Sequence, residues 1–231
     1  MTESSPDELA ARIDHTLLAA GTTPGAIDRL CGEAREHRFF AVCVNGVHVR
    51  RCRSNLAGSA VRVASVVGFP LGAMSSAAKA HEADCAIQDG AVELDLVIQI
   101  GALLAGEERL VVEDVAGVVA RAQAASARVK AILETGLLAP EQVTRACQLA
   151  AEAGADFVKT STGFGPRGAA LEDIRLMKAA VGSRLGIKAS GGIRTRAFAL
   201  ELLAAGATRL GTSASVAILR PESPGKRSAS T

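Results

Sequence analysis

The sequence predicts an α/β chain of one domain, a closed (β/α)8 barrel of the TIM type over residues 1–220, followed by a flexible tail over 221–231. Three observations carry this. Short β-branched runs alternate strictly with helical stretches along the chain. Its 231 residues suffice for a barrel, which needs about 200 or more. The G-x-G-x-x-G turn that marks the competing open, doubly wound sheet is missing, and the glycines cluster late instead, at Gly191–Gly192 and Gly211.

In chain order the strand runs are "RIDHTL" (12–17), the weakest, then "FFAVCV" (39–44), "VRVASVV" (61–67), "VELDLVI" (92–98), "VKAILE" (129–134), "DFVKT" (156–160), "LGIKAS" (185–190) and "TRLGTS" (208–213). Between them lie helices. In "APEQVTRACQLAAEAGA" Pro140 suits a first turn, Val143, Cys147 and Ala150 share a face, and Gly154 ends the pattern. In "TRAFALELLAAGA" Thr195 is the N-cap and Gly206 the stop. The terminal "PESPGKRSAST" has the composition of a tail.

Composition excludes several classes. A net charge of +2 is nearly balanced and implies no polyanionic partner. The densest basic patch, with Arg50, Arg51 and Arg53, reads as a solvated helix face, and no Trp or Tyr is present to stack bases, so no nucleic-acid partner is expected. Cys31, Cys43, Cys52, Cys85 and Cys147 form neither a disulfide framework nor a metal pattern and read as packing residues in a reducing cytosol. "HEADC" (81–85) lacks the second histidine of a zinc helix, His15, His37 and His48 are scattered, and no metal or cofactor is expected. Lys79 and Glu82, at helical spacing, read as a surface pair. No basic leader and no run of about 18 apolar residues is visible, which predicts a cytoplasmic chain without a membrane partner.

In a parallel barrel the C-terminal strand ends converge on one face. Asp95, Lys159 and Lys188 all lie in strand runs that open there. Two lysines in one pocket point to amine chemistry. An ordinary lysine, with a pKa of about 10.4, is free amine in roughly one molecule in a few thousand at neutral pH. Lowering that value by ~3 units takes about 4 kcal/mol, which one cation about 4 Å away supplies at an effective dielectric near 20. Lys188 beside Lys159 would therefore make a nucleophile able to form a Schiff base, with Asp95 placed to move protons. "SGGIR" (190–194) and "LGTSAS" (210–215) follow the last two strands, where barrels commonly bind phosphate. A small phosphorylated substrate is the expected partner.

"IDHTLL" (13–18), "VVGFPLGA" (66–73), "ELDLVI" (93–98), "ILETGLL" (132–138), "FVKTSTGFG" (157–165), "KASGGIR" (188–194) and "RLGTSA" (209–214) together resemble the motif series of the deoxyribose-phosphate aldolases, in order from about residue 12 to 219. The resemblance implies a metal-independent Schiff-base aldolase that reversibly cleaves 2-deoxy-D-ribose 5-phosphate to D-glyceraldehyde 3-phosphate and acetaldehyde. It implies that Lys159 forms the imine, Lys188 tunes it and shuttles protons, and Asp95 is the acid/base partner. Gly163, Gly191, Gly192, Arg194, Gly211 and Ser213 fall where the family surrounds phosphate, and Asp14 and Thr16 stand as barrel supports or substrate contacts. The chain departs from the pattern at Ala19, where the family's motif ends in lysine, at Phe164, where some members carry lysine, and in having no tyrosine, with which some members end. Other readings of the same residues are a transaldolase-like Schiff-base enzyme of phosphosugars and a non-catalytic phosphate-binding barrel. A homo-oligomer is compatible with all of them.

Overall fold

The computed structural model describes residues 5–220, and the tail expected over 221–231 lies outside the described residues. Eight parallel strands close on themselves: β1 (Ile13–Leu17), β2 (Ala41–Val44), β3 (Arg62–Val67), β4 (Glu93–Val97), β5 (Arg128–Ile132), β6 (Phe157–Lys159), β7 (Gly186–Ser190) and β8 (Arg209–Thr212). Closure is direct, since β1 pairs with β2 at Asp14–Ala41 and with β8 at Asp14–Gly211. The weakest run in the sequence is thus the strand that shuts the barrel, and the open-sheet alternative falls.

Ten α-helices among the described residues surround it: α1 (Pro6–Ala10), α2 (Pro24–Glu36), α3 (Val49–Asn55), α4 (Ser76–Asp89), α5 (Ile100–Leu104), α6 (Glu108–Ala124), α7 (Pro140–Glu152), α8 (Leu171–Val181), α9 (Arg196–Ala205) and α10 (Ser215–Leu219). Their ends follow local chemistry. Thr23 and Thr195 accept the amides of Ala26 and Phe198 at the starts of α2 and α9, satisfying donors that have no partner within the helix. Before α7 the Ala139 amide is taken by the Gln142 side chain instead. The Val143, Cys147 and Ala150 face of α7 is buried as expected, and Gly206 terminates α9.

Both faces of each strand are covered, but by different chemistry. Ile13, Val42, Val44, Leu94, Leu96, Val129, Ala131, Val158, Ile187, Ala189 and Leu210 join the apolar layer shared with the helices. Their neighbours in the alternate positions, Asp14, Glu93, Asp95, Lys130, Lys159, Lys188 and Arg209, are equally buried. Because side chains alternate along a strand, these charged groups share the lumen. A small apolar group of Leu18, Cys43, Ala64 and Val66 completes the interior on the β2–β3 side.

Two surface expectations change. Lys79 is fully buried, not half of a surface pair: it reaches from α4 to the end of β4, where its Nζ donates to the Val97 carbonyl (2.9 Å) and to Asp114 of α6 (2.6 Å). Glu82 instead accepts the Gly68 amide at the end of β3 (2.7 Å). Of the five cysteines, four are buried packing residues and Cys85 is exposed. In the basic patch, Arg50 pairs with Asp89 and Arg51 with Asp28 on exposed surface.

Removing one partner of a buried ion pair leaves the other charge uncompensated. Lys79→Met should therefore lower stability by about 3–5 kcal/mol in urea unfolding. A loss within that of ordinary surface substitutions would show that Asp114 is adequately held by Ser76 and Gln99, which also donate to it.

Candidate active site

The lumen charges are organised around Asp95. Its Oδ1 accepts from Lys130 Nζ (2.7 Å), and its Oδ2 accepts from both Lys188 (2.7 Å) and Lys159 (2.8 Å). The register explains the meeting: Asp95 on β4 lies level with Lys130 on β5, and Lys159 on β6 level with Lys188 on β7. Asp14 accepts from Lys188 (2.5 Å) and Arg209 (2.8 Å), and Glu93 from Lys130 (2.6 Å) and Arg209 (3.1 Å). Lys188 and Arg209 thus each bridge two carboxylates, and Lys130 bridges Glu93 and Asp95 with Asp14 a third, 3.7 Å away. Lys159 has one, shared with two other lysines.

With every group ionised, this buried set holds four cations against three carboxylates. Releasing one proton makes it neutral, and the release costs least at the cation with the fewest partners. The individual groups follow this logic. Burial is the largest influence on Lys159 and lowers its pKa below the ordinary value; the Lys188 charge adds to that, while Asp95 opposes it. Burial also disfavours the Lys188 ammonium, but Asp14 and Asp95 outweigh it and hold that pKa above the ordinary value. Lys130 is raised in the same way, burial being overcome chiefly by Asp95. The sequence argument that a neighbouring cation suffices to tune Lys159 is thereby corrected in its weighting: removal from water comes first, because Asp95 stands between the two lysines and offsets much of their repulsion.

Lys159 also sits where a substrate can reach it. It borders a cavity of about 370 Å³ at the C-terminal strand ends. Gly163, Gly191, Gly192, Arg194, Gly211 and Ser213 all line that cavity, as does Thr16, whose hydroxyl donates to the Asp14 carbonyl (2.8 Å). Asp95, Lys188 and Asp14 lie beneath it in the ionic cluster. Two glycines have specific reasons. Gly191 has a φ of 85° and packs so tightly that an added Cβ would come within 2.9 Å of the Gly168 Cα. A Cβ on Gly211 would lie 2.8 Å from Lys188 Cε, so this position makes room for the lysine as well as bordering the cavity.

Hydroxyls latch the loops together. Thr160 donates to the Ser190 carbonyl (3.1 Å), Ser190 to the Ser161 carbonyl (2.5 Å) and Thr212 to the Ile193 carbonyl (2.6 Å). His15 faces away from the lumen, between Glu33 (2.7 Å) and Ser215 (2.9 Å). Lys130, Glu93 and Arg209 were not singled out from the sequence. The signal for them was present in the charged residues inside "VKAILE", "VELDLVI" and "TRLGTS", the same signal that marked Lys159. Another cavity, of about 590 Å³, lies beside α1, α2 and α10 and contains none of the lumen charges.

The cluster makes stability depend on acid. Burial would raise the Asp14 pKa, but Lys188, Lys130 and Arg209 overcome it and hold the carboxyl down at about 2, against an ordinary 3.8. A folded-state value below the unfolded one means that the contribution is complete above about pH 4 and disappears as pH falls through about 2. It amounts to about 2 kcal/mol, with Asp95, also lowered, acting in the same direction. Urea unfolding from pH 5 to pH 2 should show this loss, and Asp14→Asn should flatten it; an unchanged slope in the variant would remove Asp14 from the account.

The chain as a whole is similar to known proteins. The family model described as DeoC/LacD family aldolase matches residues 9–220. The deoxyribose-phosphate aldolase of Carboxydothermus hydrogenoformans is 51% identical, covering 94% of this chain and 96% of its own. That of Alkaliphilus oremlandii is 52% identical over 93% and 96%. Among solved structures, the tetrameric deoxyribose phosphate aldolase of Aeropyrum pernix superposes with a TM-score of 0.87 at 35% identity, covering 93% of this chain and 91% of that one.

Proposed function

Because the chain belongs to the DeoC/LacD family of aldolases, we propose that it reversibly cleaves 2-deoxy-D-ribose 5-phosphate to D-glyceraldehyde 3-phosphate and acetaldehyde through an imine on Lys159. The observation that carries the proposal is the state of Lys159: a buried amine, lowered in pKa, with one shared carboxylate partner, at the edge of a glycine-lined cavity.

The steps follow from that placement. The Lys159 amine adds to C1 of the open-chain sugar, and loss of water leaves a protonated imine. Departure of the C3 hydroxyl proton breaks the C2–C3 bond, releases glyceraldehyde 3-phosphate and leaves its electron pair in an enamine. Protonation at C2 and hydrolysis then free acetaldehyde and the lysine. Asp95, which accepts from both Lys159 and Lys188, forms with Lys188 the route for these protons. Gly163, Gly191, Gly192, Arg194, Gly211 and Ser213 surround the phosphate, Asp14 supports the barrel from below, and Thr16 borders the cavity while its hydroxyl holds the Asp14 carbonyl. The imine itself acts as the electron sink, so the scheme requires no metal or cofactor.

The same reading places the chain in deoxyribonucleotide breakdown in the cytoplasm, with a phosphosugar and no nucleic acid as its partner. No described helix is long and apolar enough to cross a membrane. Self-association is proposed by analogy with the tetrameric relative, and light scattering tests it. A transaldolase-like reaction is less well supported, since the relatives at about half identity are named for the deoxyribose phosphate reaction.

Incubation with acetaldehyde and borohydride should leave one ethyl adduct, mapped to Lys159. Labelling mainly at Lys188, or none, would remove the assignment. Lys188→Met separates the two influences on the nucleophile. Imine trapping across pH should show the midpoint moving upward, yet short of the free-lysine value of about 10.4, because burial persists. A midpoint at the free-lysine value would restore the neighbouring charge as the main cause, whereas Lys159→Met should form no imine at any pH.

A further inference from the structure

Glu134, between β5 and α7, combines three costly features. Its backbone is left-handed, with φ 55° and ψ 59°, a region that residues other than glycine seldom occupy. Its side chain is almost fully buried. Its Oε1, also buried, accepts no hydrogen bond from any described residue. Such features persist where surrounding structure enforces them and concentrate at functional sites.

What Glu134 holds is the turn after the Lys159 strand. Its Oε2 accepts both the amide (3.2 Å) and the hydroxyl of Thr162, and the Thr162 oxygen in turn accepts the Phe164 amide (3.0 Å). The bonds straddle Gly163, whose φ is 87° and which lies against Gly191 of the next loop. Gly165 leaves room for the carboxyl, since a Cβ there would come within 2.7 Å of the Glu134 Cδ. Thr162, Gly163 and Phe164 line the cavity, and Glu134 stands behind them.

We propose that Glu134 is a positioning residue that fixes the Thr162–Phe164 turn against the β7 loop and thereby sets the preference for phosphorylated over unphosphorylated sugar. The proposal rests on the reading of the glycine loops as the phosphate site. Glu134 touches no substrate, and its effect passes through Thr162. The purely structural alternative, that it only holds the fold, would weaken both kinds of substrate alike.

The test compares kcat/KM for 2-deoxyribose 5-phosphate and for 2-deoxyribose in the parent and in Glu134→Ala, Glu134→Asp and Glu134→Gln. In the Ala variant no acceptor remains for the two Thr162 donors, and the Asp side chain is one carbon too short. Both should lower the phosphorylated-to-unphosphorylated ratio by about tenfold or more, mainly through KM for the phosphorylated sugar, as expected for lost hydrogen bonds to a positioning group. Glu134→Gln keeps an acceptor oxygen and should stay within about threefold of the parent ratio. Inhibition by inorganic phosphate should weaken in parallel in the Ala and Asp variants. If Glu134→Ala does not fold, Glu134→Asp decides, because aspartate tolerates the left-handed backbone. An unchanged ratio in a folded Asp variant, or equal losses on both sugars, overturns the proposal. A parent that does not discriminate between the sugars would overturn the phosphate-site reading itself, and is distinguishable because no variant is involved.

Discussion

Three lysines share one buried carboxylate, and most of the site follows from that. Asp95 cannot satisfy Lys130, Lys159 and Lys188 equally when Lys130 and Lys188 also hold Glu93 and Asp14. The least-supported ammonium is the one on the rim of the cavity. Reactivity at Lys159 is thus a property of the whole arrangement, in which burial disfavours the charge and the carboxylates are already committed elsewhere. Adding a further carboxylate beside Lys159 would stabilise the barrel interior and quiet the amine at the same time.

The loops above the cluster form a second, neutral layer. Thr160, Ser190 and Thr212 each give a hydroxyl to a carbonyl of another strand end or loop, and the Ala169 amide reaches the Gly191 carbonyl (3.0 Å). The walls of the cavity are therefore tied to β6, β7 and β8, the strands that bear Lys159, Lys188 and Arg209. Gly211 makes the coupling explicit, since one position both borders the cavity and clears space for Lys188. Reactive groups and cavity walls are held in register by the same short strands.

Much of this was legible in the sequence. Alternating runs marked all eight strands, and the late glycine clusters marked the cavity wall. Lys159 and Lys188 stood out because lysine inside a β-branched run has few innocent explanations. The same reasoning applied to Lys130, Glu93 and Arg209, but those side chains are surrounded by groups that become neighbours only when the barrel closes, so no local pattern tied them together. Lys79 was misread for a related reason: helical spacing to Glu82 is a local signal, whereas Asp114 is 35 residues away and meets it only through the packing of α4 against α6. The importance of burial relative to Lys188 was likewise invisible, because Asp95 lies between the lysines only in three dimensions.

The strict alternation of Leu94, Asp95 and Leu96, or of Ile187, Lys188 and Ala189, has a consequence for how the barrel assembles. Side chains reverse direction at every residue of a strand, so a slip by a single position would turn the lumen charges into the oily layer beneath the helices and push leucines toward the ions. Each charge would then be stranded without its counter-ion, and the error would be far costlier than a comparable slip in an all-apolar interior. The same charges that poise an amine at the cavity rim therefore act as a proofreading device for strand alignment, making the misregistered closures of this chain too unstable to persist.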